Sequence, residues 1–341
     1  MIIRSKAPLR IGLAGGGTDV SPYSDLYGGA ILNATIDLYA YASLEPLNTG
    51  VVEFVIDGTS KKWTGSTAEK LPLVPGFELF IGVYNRICSQ FKTGPLSFRL
   101  TSYIEAPQGS GLGTSSTIVV SLIGVFVEWL KLPLGPYDIA HLAYEIERVD
   151  LGMSGGKQDQ YAATFGGVNF IEFLANDQVI VNPLPLRREV LNELEFNILL
   201  YYTATQRESA TIIDEQVRNV KSKNEKSVEA MHRLKEQATK MKEALLKGEL
   251  HRTGEILNFG WQNKKQMAAS ITNDLVDTIY RTAIEHGATG GKISGAGGGG
   301  FMFFFCPGVT KVPVGKSLEA LGGKVQPFKF TTKGLDTWTT N

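Results

Sequence analysis

The feature that most constrains the fold of this sequence is a glycine-rich loop, PQGSGLGTSST at residues 107–117, placed directly before an apolar run. Glycine destabilises helices and strands, so clustered glycines favour positive φ angles or close approach of the backbone to a ligand. The apolar residues 117–130 are too few to span a bilayer and predict a buried helix. A loop that opens such a helix predicts a phosphate cradle, because backbone N–H groups and a helix N-terminus attract anions.

The hydroxyl-rich end of this loop favours ligand binding over a simple turn. A serine cap explains one hydroxyl at a helix start, whereas Thr114, Ser115 and Ser116 supply three. A Walker A loop would need a lysine at its end, and a Rossmann turn would need glycine at Thr114. The residues predicted to bind phosphate are Gly109, Ser110, Gly111, Leu112, Gly113, Thr114, Ser115 and Ser116.

Three further segments carry unusual glycine clusters. They are APLRIGLAGGGTD at residues 7–19, GMSGGKQDQYAATFGG at 152–167 and KISGAGGGG at 292–300. The last holds more glycines than a hairpin needs, which implies close approach to its backbone. Asp159 lies between glycine turns, where an aspartate is usually a turn residue. Beside three segments suited to phosphate, a catalytic role for Asp159 becomes competitive.

Charge and cysteine usage exclude several function classes. The 341 residues contain 34 Lys plus Arg and 34 Asp plus Glu, so the whole molecule does not attract nucleic acid or anionic lipid. The N-terminus lacks the apolar core of a signal peptide, and the two cysteines form no CxxC. We therefore expect a cytoplasmic protein without nucleic-acid or membrane partners. The four histidines form no HxxxH pair, which argues against zinc.

Strands and helices alternate in both halves of the chain, which predicts two α+β domains. Composition changes near Pro183 and Pro185, so we predict domains at residues 1–185 and 186–341. Among the predicted elements are helices at 137–149 and 273–286, the second capped by Asn273, and strands at 301–305 and 325–330.

Taken together, the glycine segments resemble the motifs of the GHMP kinases. The first motif begins at Pro8-Leu9-Arg10-Ile11, and the second runs from Pro107 through Gly111-Leu112-Gly113-Thr114-Ser115. The third is Gly295-Ala296-Gly297-Gly298-Gly299. The resemblance implies an N-terminal ribosomal-protein-like domain, a C-terminal ferredoxin-like domain and ATP in the cleft between them. It also implies an ATP- and Mg²⁺-dependent kinase acting on a hydroxyl of a sugar or sugar phosphate.

The resemblance assigns roles to individual residues. Asp159 matches the family's catalytic aspartate, and Arg10 matches the basic residue that pairs with it. Ser115 and Glu147 match the ligands of Mg²⁺, which takes few protein ligands and keeps phosphates and waters.

The first motif departs from that of galactokinases, which carry Glu-His where this chain has Gly16 and Gly17. Its GGGTD form is similar to that of family members that phosphorylate the anomeric hydroxyl of D-glycero-D-manno-heptose 7-phosphate, with fucokinase domains next. Asp19 would accept hydrogen bonds from sugar hydroxyls. The residues expected to contact the acceptor are Gly16, Gly17, Thr18, Asp19, Lys157, Arg207, Gly297 and Gly298, with Lys157 or Arg207 as candidates for holding its phosphate.

Two alternatives stay open at this point. One is a different sugar 1-kinase, acting on fucose or galactose. The other is a non-catalytic sugar and ATP sensor on the same fold, which is disfavoured because the matched catalytic residues are all present. The sequence makes no prediction about oligomeric state.

Overall fold

The computed structural model describes residues 1–107, 109–205 and 209–340. These residues form strands and helices that alternate along the chain. The strands are β1 (Ile2–Ala14), β2 (Gly29–Pro46), β3 (Val51–Ile56), β4 (Lys62–Ser66), β5 (Phe98–Ile104), β6 (Val168–Phe173), β7 (Val179–Pro183), β8 (Ile198–Tyr202), β9 (Gly290–Ile293), β10 (Phe301–Phe305), β11 (Lys324–Val325) and β12 (Asp336–Thr340). The α-helices are α1 (Tyr23–Tyr27), α2 (Glu78–Phe91), α3 (Thr114–Leu130), α4 (Pro136–Glu145), α5 (Gln158–Phe165), α6 (Arg188–Asn197), α7 (Ser209–Lys221), α8 (Glu225–Lys247), α9 (Thr253–Lys264), α10 (Asp274–Glu285) and α11 (Lys311–Glu319).

The N-terminal sheet has the order β12-β1-β2-β5-β3-β4, and β6 and β7 extend it beside β2. The first part of the long strand β2 pairs with β6 and its last part pairs with β5, while β1 lies on its other side. The pairing of β3 with β5 is parallel, and the other pairings are antiparallel. The apolar helix α3 packs against β1 and β2, so its N-terminus is held at a fixed place relative to β1.

The C-terminal sheet is antiparallel, with the order β11-β8-β10-β9. Every residue of β10 is buried, as a continuous apolar run of this length predicts. One apolar cluster joins the two halves, since it contains Leu9 and Ile11 of β1, Ala238 and Met241 of α8, and Phe303 of β10. Because this cluster spans both sheets, segments from both halves can converge on one cleft.

The end of the chain departs from the predicted elements. The predicted strand at 325–330 is wrong beyond Val325, because Pro327 has no N–H to continue a ladder. The strand β12 was not predicted, and it returns to the N-terminal sheet by pairing with β1. Sheet membership changes between β7 and β8, on either side of residue 185. The domain division at that residue stays a prediction.

Two predicted helices differ in detail from the structure. The helix expected at 117–130 begins earlier, at Thr114, and the helix expected at 137–149 ends at Glu145 and continues as a π-helical turn, Ile146–Asp150. Asn273 caps α10, as expected, by accepting a hydrogen bond from Val276 N. Within the described ranges, no helix has both the length and the apolar character needed to cross a membrane.

Candidate active site

The glycine loop and the start of α3 form one wall of a cleft of about 1290 Å³. Gly109, Gly111 and Gly113 have φ values of 70°, 82° and 81°, which side chains other than glycine rarely adopt. These three glycines line the cleft together with Thr114 and Ser115. The other predicted loop residues are buried and do not line the cleft: Ser110, Leu112 and Ser116. The N-terminus of α3 therefore opens towards the cleft, as an anion-binding site requires.

The glycine segment between β9 and β10 locks this loop in place. A Cβ on Gly111 would lie 2.3 Å from the carbonyl oxygen of Ser294, so the two backbones touch. Gly295 and Ala296 line the cleft. Gly297 and Gly298, which were expected to contact the acceptor, instead pack against Ile271, and Gly298 N donates to Ile271 O at 2.8 Å. Much of this glycine content serves backbone packing.

Arg10 and Asp159 form an ion pair inside the cleft. Arg10 Nη2 lies 2.6 Å from Asp159 Oδ1, and Arg10 Nε donates to the same oxygen at 2.7 Å. Arg10 Nη1 donates to the carbonyl of Gly111 at 2.6 Å. Asp159 lies in the first turn of α5, where it faces Gly113. One guanidinium therefore holds a carboxylate against the glycine loop.

Asp19 lies beside this pair, at the end of the glycine segment at residues 7–19. It is buried and accepts hydrogen bonds from the backbone of Gln158 at 3.1 Å and of Gly17 at 3.3 Å. Burial, and then the charge of Asp159, raise the pKa of the Asp19 carboxyl. Gly17 also lines the cleft. The hydroxyl of Thr18 contacts the carbonyl of Gly15 inside the turn and that of Ala30 in β2, so it ties the turn that positions Asp19 to the sheet.

Glu147 lies in the π-helical turn, fully buried behind the cleft wall. Its Oε2 accepts from Gln160 Nε2 at 2.5 Å, and the same amide donates to Ser116 at 3.1 Å. In the part of the chain that the structure describes, Glu147 Oε1 accepts no hydrogen bond, and Arg148 Nη1 lies 3.7 Å away. Burial raises the pKa of this carboxyl. A carboxylate oxygen without a donor, beside the helix start that carries Ser115, fits a hard divalent cation.

The two residues expected to hold an acceptor phosphate fare differently. Lys157 forms ion pairs with Asp25 at 3.2 Å and Asp177 at 2.6 Å, and it lies 5.6 Å from the ring centre of Tyr144. It lines a smaller cavity of about 240 Å³ rather than the main cleft. Its charge is therefore already neutralised. Arg207 lies outside the described residues.

Sequence reasoning missed two buried lysines. Lys264 ends α9, lines the cleft and donates to the carbonyl of Gly295 at 2.5 Å. Lys292 lies in β9, and its Nζ donates to the carbonyl of Gly12 at 2.8 Å. Burial, and then the neighbouring cations, lower the pKa of Lys292 well below its usual value. The sequence signal that could have identified Lys292 is its position as the first residue of the glycine segment at 292–300.

Two family models match this chain. The description "GHMP kinases N terminal domain" matches residues 78–167, and "GHMP kinases C terminal" matches residues 241–313. The chain is 48% identical over 336 residues to the D-glycero-alpha-D-manno-heptose 7-phosphate kinase of Campylobacter jejuni, with 98% of each chain covered.

Two further proteins are similar to this chain over most of its length. The crystal structure of a D-glycero-D-manno-heptose 1-phosphate kinase from Bacteroides thetaiotaomicron is 46% identical and superposes with a TM-score of 0.86 over 99% of both chains. The L-fucokinase/L-fucose-1-P guanylyltransferase of Bacteroides fragilis is 27% identical over 326 residues, which cover 89% of this chain and 34% of that protein.

Proposed function

The chain belongs to the GHMP kinase family, and from this premise we propose that it transfers the γ-phosphate of ATP to the anomeric hydroxyl of D-glycero-D-manno-heptose 7-phosphate. The observation that carries the proposal is the Arg10–Asp159 pair, held against a glycine loop at a helix N-terminus. The 48% identity to the Campylobacter heptose 7-phosphate kinase supports this choice of acceptor.

In this mechanism the loop from Gly109 to Ser115 binds the phosphates of ATP through backbone N–H groups and the α3 N-terminus. Phosphoryl transfer depends mainly on positioning and on neutralising charge at the γ-phosphate. Ser115 Oγ and Glu147 are the residues that would hold Mg²⁺, whose chemistry is to neutralise charge on the phosphate oxygens. The orphaned Oε1 of Glu147 supports this assignment.

Asp159 would orient the acceptor hydroxyl and accept its proton. The new bond joins that oxygen to the γ-phosphorus as the bond to the β–γ bridging oxygen breaks and ADP leaves. Arg10 fixes the carboxylate by a hydrogen bond from Nε and an ion-pair contact from Nη2, both to Oδ1, which leaves the second oxygen for the acceptor. Asp19 would accept hydrogen bonds from other hydroxyls of the sugar.

The position of the acceptor's phosphate distinguishes two versions of this proposal. The printed names of the two similar heptose kinases differ, one naming the 7-phosphate and the other the 1-phosphate. An acceptor already phosphorylated at the anomeric oxygen has no free anomeric hydroxyl. The proposed reaction therefore requires the 7-phosphate as substrate.

Cys88 and Cys306 are both free thiols, which supports the cytoplasmic location expected from the sequence.

The test of this proposal is to identify the product by phosphorus NMR after incubation with ATP, Mg²⁺ and heptose 7-phosphate. The expected product is the 1,7-bisphosphate, with a new signal coupled to the anomeric proton. Transfer to another hydroxyl would contradict the proposal. A fucokinase-like sugar 1-kinase is the second candidate, favoured by the Bacteroides fragilis relative. Faster turnover of free fucose than of heptose 7-phosphate would select it.

A further inference from the structure

We propose that Lys264 binds the phosphate that the acceptor already carries, and thereby sets the preference for a phosphorylated sugar. The inference rests on the proposed function and adds to it a residue that neither the motifs nor the resemblance indicated. It replaces Lys157, whose ammonium is occupied by Asp25 and Asp177.

The first observation is that Lys264 and Lys292 are buried cations without anionic partners. Their exposed fractions are 2% and 3%. Among the residues that the structure describes, neither ammonium forms a salt bridge, and each has one backbone carbonyl as its hydrogen-bond partner. An ammonium has three donors, and a buried charge is costly unless it is paired. Such an arrangement beside a cleft is therefore suited to an anion that arrives with the substrate.

The second observation is the shape of the space between these lysines. A Cβ built on Gly16 would lie 3.7 Å from Lys264 Nζ and 3.7 Å from Lys292 Nζ. Both ammonium groups therefore face the same small space beside the Gly16 backbone. Lys264 lines the cleft, whereas Lys292 does not, so Lys264 is the direct ligand. Lys292 adds positive potential behind it.

The third observation is the position of Lys264 relative to the reacting end of the cleft. Asp159 is held by Arg10, and the backbone of the preceding residue, Gln158, donates to Asp19. Lys264 Nζ lies beside Gly16, in the glycine turn that also holds Asp19, and Lys264, Asp19 and Asp159 all line the cleft. A sugar whose anomeric hydroxyl lies at Asp159 and whose ring hydroxyls lie at Asp19 would bring its phosphate to the Gly16 end of that turn, beside Lys264.

The experiment compares heptose 7-phosphate with the same heptose lacking the phosphate, as acceptors for wild type and Lys264→Met. Loss of a charge-assisted hydrogen bond is expected to raise KM for the phosphorylated acceptor roughly tenfold to hundredfold. The kcat with that acceptor, KM for ATP and kcat/KM for the unphosphorylated heptose should each stay within a few-fold of wild type. Lys264→Gln should show the same selectivity loss.

Lys265→Met is the matched control, because the neighbouring lysine is partly exposed and lies 3.9 Å from Asp277. It should leave the ratio of the two acceptors unchanged. Thermal unfolding checks the fold, and Lys264→Met should be at least as stable as wild type because it removes an unpaired buried charge. A merely structural lysine would lower stability without changing acceptor preference.

Two results would overturn the inference. If Lys264→Met lowers kcat/KM equally for both acceptors, or raises KM for ATP, Lys264 acts on the transferred phosphate. If calorimetry without ATP shows wild type and variant binding heptose 7-phosphate equally, Lys264 is not its ligand. Either result leaves the proposed function standing when wild type still prefers heptose 7-phosphate. Loss of that preference in wild type itself would contradict the proposed function.

Discussion

Arg10 and Asp159 are 149 residues apart in the chain, yet Arg10 Nη2 lies 2.6 Å from Asp159 Oδ1. The contact joins β1 to the first turn of α5, and the same guanidinium reaches the carbonyl of Gly111. The strand β1, the Asp159 carboxylate and the glycine loop therefore form one unit. A change at Asp159 is expected to affect phosphoryl transfer more than folding.

Replacing Asp159 with Asn should lower kcat by about 10²–10⁴-fold, because removing a general base typically costs that much. ATP affinity, measured by calorimetry, should stay within a few-fold of wild type. Asp274→Asn, an exposed acid in α10, serves as the control and should keep full turnover. A kcat for Asp159→Asn close to that of wild type would remove Asp159 from the mechanism.

Glu147→Gln should raise the Mg²⁺ concentration needed for half-maximal activity while increasing stability. Burial raises the pKa of Glu147 above its ordinary value of 4.5, so the folded protein holds this proton where the unfolded chain has lost it. Stability from this group is therefore present at low pH and lost as pH rises through the raised pKa. Glu147→Gln has no carboxyl that can lose this proton. The amount by which its Tm exceeds that of wild type should therefore grow from acidic towards neutral pH.

Ser115→Ala should shift the Mg²⁺ dependence in the same direction without the gain in Tm.

Glu145→Gln is the matched control for Glu147, since Glu145 is partly exposed in the preceding turn and pairs with Arg86. An unchanged Mg²⁺ requirement in Glu147→Gln would show that this carboxylate has only a structural role.

Gly111→Ala should destabilise the protein and weaken ATP binding together. A left-handed φ costs an alanine roughly 1–2 kcal/mol, and here the added Cβ would also lie 2.3 Å from the carbonyl oxygen of Ser294. Gly94→Ala isolates the cost of the left-handed φ, because Gly94 has a φ of 69° and open space around it. Equal losses of Tm in the two variants would mean that the contact with Ser294 has no energetic role.

The kcat/KM for heptose 7-phosphate should fall as pH rises through about 8, because burial, and then Arg10, lower the pKa of Lys264 to about 8 while Asp19 opposes them. Deprotonation removes the charge proposed to bind the acceptor's phosphate. Burial also lowers the pKa of Lys292, whose Nζ faces the same space. Lys264→Met should lack the fall, and a pH profile identical to wild type would contradict the assignment.

The lowered pKa of Lys264 also makes the stability of the fold depend on pH, in the opposite direction from Glu147. Between about 8 and the ordinary value of 10.5, the unfolded chain binds a proton that folded Lys264 has lost. Stability from this group therefore rises with pH in that window, and its penalty is fully present below it. The Tm gain of Lys264→Met should accordingly be largest below pH 8.

The glycine loop and α3 could be predicted from sequence because their signals are local: glycines at fixed spacing, then an uninterrupted apolar run. The pairing of Arg10 with Asp159 came from family resemblance, since no local rule links residues so far apart. Lys264 was not predicted because a lysine at a helix end usually remains in solvent. The packing of α9 against β9 and α8 buries it, and its ammonium donates to the carbonyl of Gly295.

Lys157 shows what sequence reasoning cannot supply for a buried charge. Its place two residues before Asp159 made it a candidate for binding substrate, but its partners Asp25 and Asp177 come from distant parts of the chain. Charge neutralisation of this kind depends on tertiary structure, so the sequence alone could not reveal it.

The central claim is tested most directly by comparing kcat/KM for heptose 7-phosphate with that for mannose, fucose and galactose under the same ATP and Mg²⁺ concentrations. Contacts to the phosphate through a charge-assisted hydrogen bond predict that heptose 7-phosphate exceeds each free sugar by at least about tenfold. Equal or greater efficiency on any unphosphorylated sugar would contradict the account and leave the fucokinase-like reading in its place.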